Sequence, residues 1–209
     1  MNEERFLPTR QSLLSRLKDW DDQDSWREFF EAYWRLIYNV ARKAGLDETE
    51  AQDVVQDTIV AVAHTMPGFQ YDAAKGKFRN WLQQITRRRI ADRLRKRYRD
   101  PVAGAGAVGN STSELGGELE EMADPASLEV DAIWNKEWEG HLMEMAVERV
   151  KKQIRPEHVQ IFDLYVLQGW APAKVAKALG VSMAQVYIIR HRVGRMLKKE
   201  VLRLQERGI

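Results

Sequence analysis

The stretch PAKVAKALGVSMAQVYIIRHRVGRMLKK, Pro172 to Lys199, decides how the rest of the chain is read. Pro172 can open a two-turn helix on which Val175, Ala176 and Leu179 point inward, and Gly180 follows where a left-handed residue is needed to turn the chain. Val181 plugs the core, and Ser182 with Gln185 three positions later forms a capping box that starts a second helix. On that helix Val186, Val193 and Leu197 share one face, while Ala184, Tyr187, Ile188, His191 and Arg195 share the opposite one. This is the spacing of a helix-turn-helix, whose second helix lies in a DNA major groove. The candidate duplex-contacting residues are Ser182, Ala184, Gln185, Tyr187, Ile188, His191, Arg192 and Arg195, with Lys198 and Lys199 adding charge for phosphates. The plain alternative is a helical hairpin with a solvated basic face.

Working outward, charge is strongly segregated although the net charge is only +2. Between Lys75 and Arg99 stand eleven basic residues and one acid, Asp92. Between Pro101 and Asp131 stand seven acids and no Lys or Arg. Phe78, Leu82 and Ile85 give residues 77–98 a helical inward stripe, but in the second half Arg and Lys point in nearly every direction. Like charges one turn apart repel, and a polyanion would relieve that repulsion. Residues 101–125, rich in Gly, Ala, Ser and acid without periodicity, have the composition of a flexible connector. Its G-x-G-x-x-G match at 104–109 lacks the preceding strand and following helix that a dinucleotide site needs.

Two more helices precede the basic one. Residues 24–44 carry Phe29, Phe30, Tyr33, Trp34, Ile37, Val40 and Ala44 as a wide apolar band closed by Gly45. Asp47 and Glu50 then form a capping box for a helix reaching about Thr65, with Ala51, Val54, Val55, Ile59 and Val62 inward. Glu50, Asp53 and Asp57 share an outward carboxylate face with Gln56; a merely solvated acidic face is the bland reading. Pro67 and Gly68 break the pattern, so residues 66–75 read as a loop. After the connector, helices resume near Ser127, with Ile133, Trp134, Trp138, Leu142, Met145 and Val150 at helical spacing. A further helix opened by Pro156 carries Val159, Ile161, Phe162, Tyr165 and Val166.

Composition bounds the rest. A chain of 209 residues with 44% hydrophobic side chains can bury two small cores, and strand signals are essentially missing, so the expected fold is all-α with two small helical domains. The absence of cysteine removes disulfides, thiol nucleophiles and Cys zinc sites. No signal peptide and no membrane-spanning apolar run is found, so a cytoplasmic protein is expected. Four isolated His, no H-E-x-x-H and no P-loop leave no catalytic constellation; no enzyme activity, cofactor, metal or small-molecule substrate is expected.

With these residues in place, residues 25–99 and 138–204 resemble the extracytoplasmic-function sigma factors of bacterial RNA polymerase, a branch of the sigma-seventy superfamily. The resemblance implies an N-terminal extension (1–22), sigma region two (23–99), an acidic connector (100–131) and a helix-turn-helix sigma region four (132–209). It implies that Glu50, Asp53, Gln56 and Asp57 dock on the beta-prime subunit of core polymerase, the beta subunit being the other polymerase partner. The stretch Phe78 to Arg97 looks like the family's promoter-melting helix, with Lys77, Arg79, Asn80, Gln83, Gln84, Arg87, Arg88 and Arg93 at minus-ten DNA. Phe69 and Tyr71, in the loop before it, would stack a flipped base. Region four would read the minus-thirty-five element as duplex, and an anti-sigma factor is a partner left open. Three residues depart from the family pattern: Arg88 for a common Asn, Arg190 for an apolar residue, and Ala171 for a Ser-type helix cap. The rivals are a stand-alone helix-turn-helix regulator, which leaves the Asp53 to Asp57 face unexplained and would normally be dimeric, and a helical RNA-binding or adaptor protein.

Overall fold

The computed structural model describes residues 11–69, 78–99 and 125–206, which divide into two compact units, 11–137 and 138–206. Every regular element among the described residues is helical, in agreement with the all-α reading. Tyr71, Lys77 and the 104–109 glycine motif lie outside the described residues.

In the first unit α1 (Gln11–Arg16) contributes Leu13 and Leu14, followed by Leu17, to the core, so part of the expected extension belongs to the domain itself. Helix α2 (Gln23–Lys43) is capped by Asp22, whose carboxylate accepts from the Ser25 amide at 3.0 Å and hydroxyl at 2.6 Å. Its buried face is Phe29, Tyr33, Leu36, Ile37, Val40 and Ala41. Phe30, expected in that band, is 44% exposed and stacks along the helix on Trp34 instead. Gly45 turns the chain at φ 93°, and the Asp47–Glu50 capping box forms in both directions to start α3 (Glu48–Thr65). A short 3₁₀ turn (Met66–Gly68) ends α3. Phe78, first residue of α4 (Phe78–Arg99), lies 6.2 Å from the Phe29 ring and 5.6 Å from that of Tyr33. Aromatic packing therefore pins the start of the basic helix to α2, while Leu82, Thr86 and Ile90 carry the buried line further along it.

Helix α5 (Pro125–Lys151) begins two residues before the expected Ser127. Its residues through Glu137 fall in the first compact unit and those from Trp138 in the second. Along it runs a strict four-residue repeat, Val130, Trp134, Trp138, Leu142, Ala146 and Val150, all buried.

In the second unit α6 (Pro156–Phe162) runs into a π-turn (Asp163–Leu167), whose extra residue per turn rotates the stripe away from the core. Val166, expected to face inward, is exposed for that reason. Helix α7 (Pro172–Leu179), Gly180 at φ 66° and α8 (Met183–Glu206) make the helix-turn-helix, with Val175, Ala176, Val186, Ile189, Val193 and Leu197 buried. Ala171 makes no side-chain cap, as expected, and Pro172 opens the helix without one.

Two buried polar groups lock this second unit. Arg149 of α5 and Glu200 of α8 pair at 2.8 Å with side chains 8% and 9% exposed. Removing one partner of such a pair strands the other charge away from water, at a cost of about 3–5 kcal/mol. Urea unfolding of the full chain should show a loss of that size for Arg149→Met and a smaller one for Arg149→Met with Glu200→Leu; equal losses would mean that the pair is not the cause.

His141 lies buried against Trp138, and burial pushes its imidazole down to about 4 from an ordinary 6.5. The folded state therefore holds the neutral ring while the unfolded chain takes up a proton. Stability from this group is intact above about 6.5 and is lost as pH falls toward about 4. At about 1.4 kcal/mol per pH unit the loss reaches roughly 3 kcal/mol. Denaturant unfolding between pH 7 and 4 should show it, and His141→Leu should remove that part of the pH dependence; the same slope in both proteins would refute the assignment.

Candidate nucleic-acid interface

The basic half of α4 does not stand alone against solvent. Across from it runs α3, and the carboxylates expected on an outward face turn sideways to meet it. Arg93 reaches Asp53 at 2.9 Å and Asp57 at 3.1 Å, so one guanidinium bridges two turns of α3. Arg97 donates through Nε to Glu50 Oε1 at 3.0 Å and through Nη1 to the Gly45 carbonyl at 3.0 Å, with Nη2 against Glu50 Oε2. Glu50 also accepts the Asp47 amide at 2.8 Å in the capping box. The hydrogen bond from Arg97 holds the Glu50 carboxyl below its ordinary range, against the opposing effect of partial burial. Gln56 is exposed on the same helix.

Arg93 was grouped by sequence with the residues facing minus-ten DNA. In the structure it lies between Asp53 and Asp57 and pairs with both. The reason is local: Arg93 follows Ile90 by three positions, on the side of α4 that packs on α3.

The other α4 residues sort into two stripes spaced by four. Asn80, Gln84 and Arg88 are exposed. Arg79, Gln83 and Arg87 are half-buried and engaged by the first half of α5: Arg79 donates to Asn135 Oδ1, Gln83 Nε2 to Asp131 Oδ1 at 2.7 Å, and Arg87 Nη1 to Asp131 Oδ2 at 3.5 Å. Phe69 sits with its ring 4.5 Å from that of Trp81 and 6.3 Å from that of Phe78, part of the aromatic cluster at the head of α4. Asp131, Asn135, Trp81 and Arg97 carry geometry that sequence reasoning missed. The signal available for Asp131 was its i+4 relation to Asn135, hidden by the reading of residues 100–131 as connector.

In the second unit Ala184, Tyr187, Ile188, His191, Arg192 and Arg195 are all exposed on α8, Ile188 at 64% and Tyr187 at 46%. Ser182 and Gln185 are spent on the cap: the Ser182 amide donates to Gln185 Oε1 at 2.9 Å, and the Gln185 amide to Ser182 Oγ at 3.2 Å. Arg190, at a position where the resembled family is apolar, is exposed and lies over the Tyr165 ring at 5.5 Å. Lys174 at the head of α7 stacks on Trp170 at 3.6 Å. The result is a helix face offering guanidinium groups for phosphates beside apolar side chains able to touch a thymine methyl.

Residues 29–100 match the family Sigma-70 region 2. The ECF RNA polymerase sigma factor SigL of Mycobacterium tuberculosis is 25% identical over 184 residues, 88% of this chain and 90% of its own length. The RNA polymerase sigma factor NccH of Alcaligenes xylosoxydans xylosoxydans is 29% identical over 129 residues, 60% of this chain and 67% of its own. CnrH of Cupriavidus metallidurans, also an RNA polymerase sigma factor, is 37% identical over 75 residues, 35% and 38% of the two chains. The family match and these relatives together support an extracytoplasmic-function sigma factor of the sigma-70 family. What these relatives support for the chain is sigma-factor function. No helix among its described residues is long and apolar enough to cross a membrane.

The Arg97 contact gives a direct test of the α3–α4 network. Arg97→Ala should raise the Glu50 carboxyl toward its ordinary value, as read by NMR titration of the side-chain carboxyl carbon. A Glu50 titration unmoved by the change would show that Arg97 does not hold it in solution.

Proposed function

We propose that this sigma factor docks on core RNA polymerase through Glu50, Asp53, Gln56 and Asp57 and directs the enzyme to promoters. In this reading α4 engages the minus-ten element and α8 reads the minus-thirty-five element as duplex. The observation that carries the docking half is the rigid seating of the carboxylates. Asp53 and Asp57 share Arg93, while Glu50 is held by Arg97 and its own capping box. A surface whose rotamers are fixed before contact loses less conformational entropy on binding. Each carboxylate keeps an edge toward solvent, Asp57 at 47%, where a cationic partner surface can add to the pairing.

The DNA half rests on two cationic helical surfaces in separate units. Asn80, Gln84 and Arg88 present amide and guanidinium donors on α4. Phe69 and Trp81 supply stacking surface at its head, with Tyr71 and Lys77, outside the described residues, assigned to the same role by the resemblance. On α8, Arg192 and Arg195 take phosphates beside Ala184, Tyr187, Ile188 and His191 on the groove side, and Ser182 and Gln185 act by fixing the helix start. The beta-prime and beta subunits are the protein partners, an anti-sigma factor a further candidate, and the protein works in the cytoplasm where polymerase and nucleoid are.

Asp53→Ala with Asp57→Ala tests the docking half. The pair with Arg93 is part-exposed, so its loss should cost stability no more than about 1 kcal/mol. Affinity for core RNA polymerase should fall at least tenfold by co-elution titration, and run-off transcription on DNA selected by the wild-type holoenzyme should fall with it. Undiminished assembly and transcription by a folded double variant would overturn the docking assignment; tight operator binding without polymerase would favour the stand-alone regulator.

A further inference from the structure

We infer that the first half of α5 is a built-in cover for one stripe of α4, and that it must move aside before Arg79, Gln83 and Arg87 can meet nucleic acid. The inference rests on the reading of α4 as the DNA-engaging helix. Those three residues stand at i, i+4 and i+8, one line along the helix. All three polar heads are taken by α5, through Asn135 Oδ1 for Arg79 and the two oxygens of Asp131 for Gln83 and Arg87. A carboxylate and an amide oxygen thereby occupy positions where phosphate oxygens and base edges would otherwise be met, which makes this segment a short mimic of the nucleic-acid ligand.

The cover is held by burial and yields by charge. Val130 and Trp134 are buried on the neighbouring stripe of the same half-helix, and Glu137 pairs with Lys43 of α2 beyond them. The polar contacts are softer. Arg87 and Asp131 keep side chains 18% and 31% exposed at 3.5 Å, a separation at which a ligand bearing several charges competes well against one carboxylate. The stripe Asn80, Gln84 and Arg88 stays uncovered, so first contact with DNA does not require opening, whereas full engagement of α4 does. Free protein would therefore hold DNA weakly by construction.

Two experiments on the full chain test this, with a fluorescent single-stranded DNA pool of random sequence as the probe. Asp131→Ala with Asn135→Ala should bind the pool five- to tenfold more tightly than wild type at fixed salt, and adding Arg87→Ala should abolish the gain. The chain has no cysteine, so Gln83→Cys with Asp131→Cys can be joined uniquely by a short bis-maleimide. The bridged protein should bind the pool at least fivefold more weakly than the same variant capped with N-ethylmaleimide. If bridged and capped proteins bind alike, and Arg79→Ala with Arg87→Ala still weakens wild-type binding, the cover is refuted while the DNA role of α4 stands. If no α4 or α5 change alters binding, both fall. Failure of the polymerase titration alone leaves this result untouched.

Discussion

A helix with as many cations as α4 cannot be stable by itself, since guanidinium groups one turn apart repel, and the architecture of the first unit answers that constraint. Anions are brought to it from neighbouring elements. Helix α3 supplies Glu50, Asp53 and Asp57 to Arg97 and Arg93, and α5 supplies Asp131 to Arg87. Asp92, the sole acid within the basic stretch, bridges Arg89 and Arg95 on the helix itself. What remains exposed after this neutralisation, Arg88 with Asn80 and Gln84, is thereby singled out as surface. The charge left on display is a remainder selected by packing.

Packing also fixes where that surface points. Phe78 enters the Phe29 and Tyr33 cluster, and Trp81 takes Phe69 from the turn after α3, so both ends of the intervening segment are anchored to the same aromatic group. Rings of this size exclude rotation of the first turn of α4, because Phe78 and Leu82 are fully buried and cannot shift by one position without exposing apolar area. The stripe that faces outward is set by the residues that face in. Thr86, buried with its hydroxyl donating to the Leu82 carbonyl, continues the line at no cost in unsatisfied polarity.

Local signals in the amino-acid sequence were faithful wherever they act over three or four residues. Both capping boxes, the left-handed Gly180, the proline-opened helices and the exposed face of α8 form as read. Legibility stopped where two segments distant in the chain decide the outcome. Nothing in the spacing of Glu50, Asp53 and Asp57 tells a solvated acidic face from one lying beside Arg93 and Arg97 some forty residues later. The π-turn at 163–167 was invisible for another reason: an extra residue per turn leaves no compositional mark, so the phase of Val166 could not be known.

The two kinds of ion pair in this protein differ in consequence because they differ in burial. Arg149 and Glu200 are sealed between α5 and α8 and their separation would leave a charge without water, so that contact belongs to the fold and stays closed. The pairs around α4 remain in partial contact with solvent, where each contributes about 1 kcal/mol or less and salt or a polyanion can replace either partner. Contacts of that strength are enough to hold side chains in defined rotamers and too weak to forbid exchange. In the proposed function the protein presents carboxylates to polymerase and guanidinium groups to DNA; that needs both charges intact, ordered and available, and pairing them weakly with each other meets all three conditions in the unbound state.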